Sequence, residues 1–123
     1  MFVNGQSVPM TDGANTIQIR PKMDFGTRGM CLDALAAVSQ ESRGKTTTNL
    51  HFGAYQVALL QHNIVAWSGP AFAGMACTPE NVSRLDPDEP LVVRVLEEIA
   101  RRNPLGGGED AEKKDTTNGG EPA

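Results

Sequence analysis

The stretch LHFGAYQVALLQHNIVAW, Leu50 to Trp67, is the most apolar run in the chain, and its reading decides the fold. Val57, Leu60, Ile64 and Trp67 recur at helical spacing, which predicts a helix from Leu50 to Trp67 with those four side chains on its core face and Asn49 as its N-cap. Ala54, Tyr55, Ala58, Leu59, Val65 and Ala66 spread around most of the rest of the surface. A helix apolar on nearly every side sits in the middle of something, either the domain's own core or a contact with another subunit. Ser68-Gly69-Pro70 stops it, because the residue before a proline avoids helical geometry and glycine accepts a left-handed one. Gln56, Gln61, His62 and Asn63 interrupt the run, which falls short of the roughly 18 uninterrupted apolar residues of a membrane span.

Working outward towards the C-terminus, Thr78-Pro79-Glu80-Asn81 combines a capping hydroxyl, a proline at the first helical position and an acid beside the positive end of the dipole. A short helix should start there and run to about Leu85. Asp86-Pro87-Asp88-Glu89 repeats the signal with Asp86 as cap. The helix after it is the clearest in the chain: Leu91, Val92, Val95, Leu96 and Ile99 form one apolar stripe, with Arg94, Glu97, Glu98, Arg101 and Arg102 off it. Val92, Val95, Leu96 and Ile99 are assigned to the core. Glu97 with Arg101 and Glu98 with Arg102 are expected to pair at i, i+4. Asn103-Pro104 ends the helix.

Towards the N-terminus, Thr27 to Val38 places Met30, Cys31, Ala34, Leu35 and Val38 at helical spacing, so Cys31 is expected as a buried small hydrophobe. Residues 39–49 are polar and read as a loop. Gly44-Lys45-Thr46 within it resembles the end of a phosphate-binding loop, but Ser39 stands where that motif needs glycine, and a helix rather than a strand leads in. Before the first helix, Asn4-Gly5 and Asp12-Gly13 mark two tight turns, and Thr16-Ile17-Gln18-Ile19-Arg20 alternates as a strand with one buried face. Such a ribbon is marginal alone and must lean on a helix.

The expected architecture is therefore α+β and mostly helical, with a short N-terminal β-hairpin or ribbon followed by about four helices. Residues 1–103 form one small domain, with 1–20 as the β ribbon and 24–103 helical. Residues 104–123 lack large apolar side chains beyond Leu105 and read as a disordered acidic tail, since such a segment cannot offset its ordering entropy.

Charge supports that division. The 123 residues carry 11 Lys+Arg against 15 Asp+Glu, a formal charge of −4, yet residues 1–103 hold nine basic and ten acidic side chains. Nothing here resembles the basic stripe that exchanges for phosphate counterions, so nucleic-acid binding by bulk electrostatics is not expected, and neither is a membrane partner. The start has neither the basic nor the apolar region of a signal peptide, and two isolated cysteines read as reduced thiols in cytoplasm. No nucleophile, base or metal set is recognisable: His62 has no nominated partner, and Asp86, Asp88 and Glu89 are explained by capping. The residues nominate no enzyme, cofactor or metal.

From Ile17 to Pro104 the order of segments resembles a family. Ile17-Gln18-Ile19-Arg20-Pro21-Lys22-Met23 is followed by a helix, by Asn63-Ile64-Val65-Ala66-Trp67-Ser68-Gly69-Pro70, by Thr78-Pro79-Glu80-Asn81-Val82, by Leu85-Asp86-Pro87 and by Val95 to Pro104. This looks like the tail assembly chaperones of long-tailed bacteriophages. No single motif is specific; the order and spacing carry the resemblance, and the region before Ile17 and both cysteines lie outside it. The resemblance implies a non-catalytic protein of the host cell cytoplasm that coats the tape measure protein, keeps it soluble and helps recruit tail tube protein, with self-association possible. It also implies a short form and a frameshifted longer form, for which the codons of Lys113-Lys114 are a candidate slip site. On that reading Tyr55, Leu59, His62 and Ala66 form the partner-binding flank of the central helix, opposite its core face. The competing class is a structural virion component, such as a tail-completion or head-tail joining protein.

Overall fold

A computed structural model describes residues 1–36, 40–42, 45–47 and 50–105. The fold is α+β and mostly helical. β1 (Val8–Asp12) and β2 (Asn15–Ile19) form an antiparallel hairpin, α1 spans Phe25–Leu35, and β3 (Gln40–Ser42) pairs with β4 (Lys45–Thr47). α2 (Phe52–Asn63) runs directly into β5 (Ile64–Ser68); a 3-10 turn at Pro70–Phe72, the short α3 (Pro79–Val82) and α4 (Pro90–Arg102) complete the order.

The N-terminal sheet has three strands in the order β1-β2-β5, all antiparallel. β2 is central, and its alternation works as its sequence requires: Ile17 and Ile19 are buried, while Thr16 and Gln18 on the other face are half-exposed. Pro9 has no amide hydrogen to give a ladder and sits on the edge strand β1. The hairpin loop is the pair Gly13-Ala14, in which Gly13 takes φ 62° and Ala14 stays at negative φ, the pattern of a type II′ turn. The other expected turn, at Asn4-Gly5, makes no hairpin: residues 1–7 form no strand and are almost wholly exposed.

The largest correction concerns the central element. The helix expected from Leu50 to Trp67 stops at Asn63, and Ile64-Val65-Ala66-Trp67-Ser68 is a strand. Two β-branched residues and a Trp favour extended backbone, and β2 offers them a ladder, with Ile17 opposite Trp67 and Ile19 opposite Ile64. Asn63 makes the break: its side-chain NH2 donates to the Leu59 carbonyl at 2.8 Å, and its own carbonyl accepts the Arg20 amide at 2.8 Å, tying the helix end to the end of β2. Asn49, the expected N-cap, lies outside the described residues; His51 occupies the cap position without a side-chain bond.

Smaller corrections follow the same logic. α1 starts two residues before Thr27, because Asp24 caps it by accepting the Thr27 amide at 2.8 Å; Val38 lies outside the described residues. Residues 39–49, read as a loop, include the β3-β4 ladder, so the span 24–103 is not purely helical. Gly44 of the phosphate-loop look-alike is outside the described residues. α4 begins at Pro90, since a proline fits the first helical turn, and Asp86 instead accepts the amide of Asp88 at 2.9 Å in a turn that leads in. α3 starts where expected, with Thr78 accepting the Asn81 amide at 3.2 Å, but ends at Val82 and does not reach Leu85. Residues 106–123, the expected tail with Lys113-Lys114, lie outside the described residues.

The core gathers Ile17, Ile19, Met23, Cys31, Leu59, Ile64, Val82, Leu91, Val95 and Ile99 from both sheet and helices. The end of α4 closes it. Buried Asn103 accepts the Met23 amide on its Oδ1 at 2.8 Å and donates from Nδ2 to the Ile99 carbonyl at 2.8 Å, while Arg102 donates to the Pro21 carbonyl.

Candidate functional site

Once α2 ends at Asn63, the orientation of its faces is decided by what packs on it. α1 lies along one side, and there Tyr55 and Leu59 are buried, 8% and 1% exposed. They belong to the core and do not form an open flank. Burial pushes the Tyr55 hydroxyl above its ordinary pKa. His62 is half-buried, its carbonyl accepting the Arg20 side chain at 2.7 Å, and Ala66 is exposed on β5. The four residues expected as one partner-binding flank therefore do not form one exposed surface.

The expected core face of α2 is likewise divided. Ile64 is buried and Trp67 half-buried, both on β5, where the indole N–H donates to the Met75 carbonyl at 2.8 Å and the ring stacks on Phe72 with centroids 4.7 Å apart. Leu60 is half-buried, and Val57 is 37% exposed. In α4 the expectation fares better: Val92, Val95 and Ile99 are buried, and Leu96 is half-buried at the margin of the core.

Val57, Leu60 and Leu96 share a surface. They line a groove of about 540 Å³ between α2, the α3 turn and α4, whose other apolar walls include Leu85, Val92 and Val93. Gln56, Ser83 and Glu97 add polar groups to the lining. The groove exists because α3 is a single turn. It covers the end of α2, where Gln61 donates to the Pro79 carbonyl at 3.0 Å, and leaves the flank nearer the start of the helix uncovered. A second cavity of about 140 Å³ adjoins across Leu85 and Val92 and brings Asp12, Asp86 and Glu89 to its lining.

At the C-terminal end of α4, Glu98 pairs with two arginines of the same helix. Among the described residues, the ion pairs are those of Glu98, with Arg101 and with Arg102 at 2.7 Å. The Glu97–Arg101 pair expected from spacing does not form, because Glu98 takes both arginines and Glu97 turns to the groove. Hydrogen bonds from Arg101 first, then Arg102, hold the Glu98 carboxyl at about 2. Burial raises the pKa of both cysteines, so neither thiol is activated, and Cys31 Sγ rests against Met23 Sδ at 3.6 Å. Among the described residues, no three His, Cys, Asp or Glu side chains are placed to hold a metal ion. No helix among them is long and apolar enough to cross a membrane.

Sequence reasoning missed two residues of consequence. Asn63, which the spacing treats as an interruption within a longer helix, ends α2, and Asn103, expected at the end of α4, does so from inside the core. Their available signal was shared context: an Asn directly after an amphipathic or apolar helix and directly before a β-branched run or a proline. No family model matches the chain, nor does any curated protein or solved structure.

Proposed function

We propose that the protein is a non-catalytic tail assembly chaperone of a long-tailed bacteriophage, acting in the host cell cytoplasm on the tape measure protein and helping to bring tail tube protein to it. The observation that supports this reading is the open apolar groove between α2 and α4, lined by side chains from two helices and presented beside the buried core. A groove of that kind suits an amphipathic helix, whose anchors at i, i+3 or i+4 and i+7 fill it in turn. The tape measure protein is a long helical protein that needs such cover before the tube encloses it, and the segment order from Ile17 to Pro104 points to the same family.

Co-expression with the tape measure protein of the same phage tests the reading. The protein is expected to raise the soluble fraction of its partner and to co-purify with it, and Val57→Glu with Val93→Glu is expected to abolish both effects while leaving the helical circular dichroism intact. Mass spectrometry of purified virions is expected to find tape measure and tube proteins but not this chain. Its presence there at stoichiometric level would favour a joining or completion protein instead.

A further inference from the structure

The groove is apolar along its floor but acidic at its ends, and that combination narrows its partner. Glu97 lines one end. Beyond Leu85 and Val92, Asp12, Asp86 and Glu89 line the adjoining cavity. None of these four carboxylates has a cation within ion-pair distance among the described residues, where the pairs are those of Glu98. Arg94 donates to the Thr11 carbonyl at 3.2 Å, and Arg84 lines a further cavity with Trp67 and Asp86 without pairing to that carboxylate. From Glu80 to Glu98 the chain carries six carboxylates against those two arginines.

We infer that the groove selects an amphipathic helix that carries Lys or Arg at both ends of its apolar face. The inference rests on the reading of this groove as the partner-binding surface. Glu89 and Glu97 are eight residues apart, close to 12 Å along α4 at about 1.5 Å per residue. A partner helix lying along α4 matches them with cations seven or eight residues apart, and long basic side chains cover the apolar rim with their stems while their heads reach the carboxylates. The chain's own residues 106–123 are a poor occupant: five acids against Lys113 and Lys114, with no large apolar anchor, would bring like charge to the rim.

The probes are three labelled Leu/Ala helical peptides of about 16 residues that differ at two flanking positions seven apart, holding Lys, Gln or Glu there. Fluorescence anisotropy with the full chain at about 50 mM salt is expected to rank them Lys, then Gln, then Glu, with the Lys peptide about tenfold tighter than Gln and the gap closing at about 500 mM. Glu89→Lys with Glu97→Lys should reverse the order. Both side chains are exposed or rim-facing, and Glu89 makes no capping bond, so the fold survives. Equal binding of Lys and Gln peptides, both lost in Val57→Glu with Val93→Glu, overturns the charge selection and leaves the groove as the binding surface. Binding of none of the three peptides, or binding indifferent to Val57→Glu with Val93→Glu, overturns the groove reading as well. Sedimentation showing a self-associated chain that Val93→Glu dissociates and the Lys peptide does not would assign the surface to a second copy and overturn the inference.

Discussion

α2 and α4 are nearly equal in length and end alike, but α4 has one face fit for burial and α2 has several. Each is closed by a buried asparagine whose side-chain NH2 donates to the carbonyl four residues back, Leu59 for Asn63 and Ile99 for Asn103, at 2.8 Å in both. α4 has one apolar stripe and a charged remainder, so burial has a single solution and the structure adopts it. α2 is apolar nearly all round, so its sequence permits several orientations. The choice falls to its neighbours: α1 packs along α2, Tyr55 and Leu59 are buried, Gln61 near the helix end bonds α3, and Val57 is left 37% exposed. Amphipathicity tells which face is buried only when the other face is unfit for burial.

The sharpest way to break this comparison is a charge on each face of α2. Leu59→Glu places an unpaired carboxylate in the core and should cost more than about 4 kcal/mol, seen as loss of cooperative urea unfolding. Val57→Glu, two residues away, should change stability by less than about 1 kcal/mol while abolishing co-purification of the tape measure protein. Equal destabilisation by the two would return Val57 to the core.

On α4, Ile99→Ala should cost about 2–5 kcal/mol by leaving a cavity at a fully buried position. Leu96→Ala should cost clearly less, since Leu96 borders the groove. Urea midpoints for the pair measure how sharply the stripe ends.

The two asparagines differ in their oxygens. Asn103 Oδ1 takes the buried Met23 amide, whereas Asn63 Oδ1 is buried without a partner among the described residues. Asn103→Ala should therefore cost about 1–3 kcal/mol by stranding that amide, and Asn63→Ala less, because it also removes an unsatisfied acceptor. Chemical denaturation of both variants would sink the distinction if Asn63 proved the costlier.

The smallest effect belongs to Glu98. Its carboxyl titrates at about 2 in the folded chain against 4.5 ordinarily, so its contribution is complete above about 4.5 and is lost as pH falls from there through about 2. Solvent screening keeps that contribution below about 1 kcal/mol. Glu98→Gln should remove this part of the acid destabilisation, visible as a smaller difference between urea midpoints at about pH 6 and about pH 2.5.

The fold class, β2, α3 and α4 were legible because each rests on a local rule: period-two alternation at Ile17 and Ile19, a Thr-Pro cap at Thr78, a single stripe from Leu91 to Ile99. β5 was not, because Ile64 to Trp67 satisfies helical spacing with Leu60 as well as it satisfies a strand, and only pairing with β2 separates the two. The Asn4-Gly5 turn had suitable chemistry but no partner strand to use it. The groove is legible in its residues and illegible in its orientation, since helical spacing groups Val57 and Leu60 without telling whether their face is inward or outward.

The bond from the Met23 amide to Asn103 joins residues eighty positions apart, and such a long-range contact is expected to form late. A growing chain can close the β1-β2 hairpin and coil α1 early, since both use near neighbours. β2 then waits for β5 to arrive, and Met23 stays unlocked until the last turn of α4 has been made. Once helices and sheet have met, the closure is cheap: each doubling of a loop adds only about 0.6 kcal/mol of entropy. Asn103 thus acts as the final latch, and any product that stops short of it should collapse around β2 yet leave the segment at Met23 open to proteases.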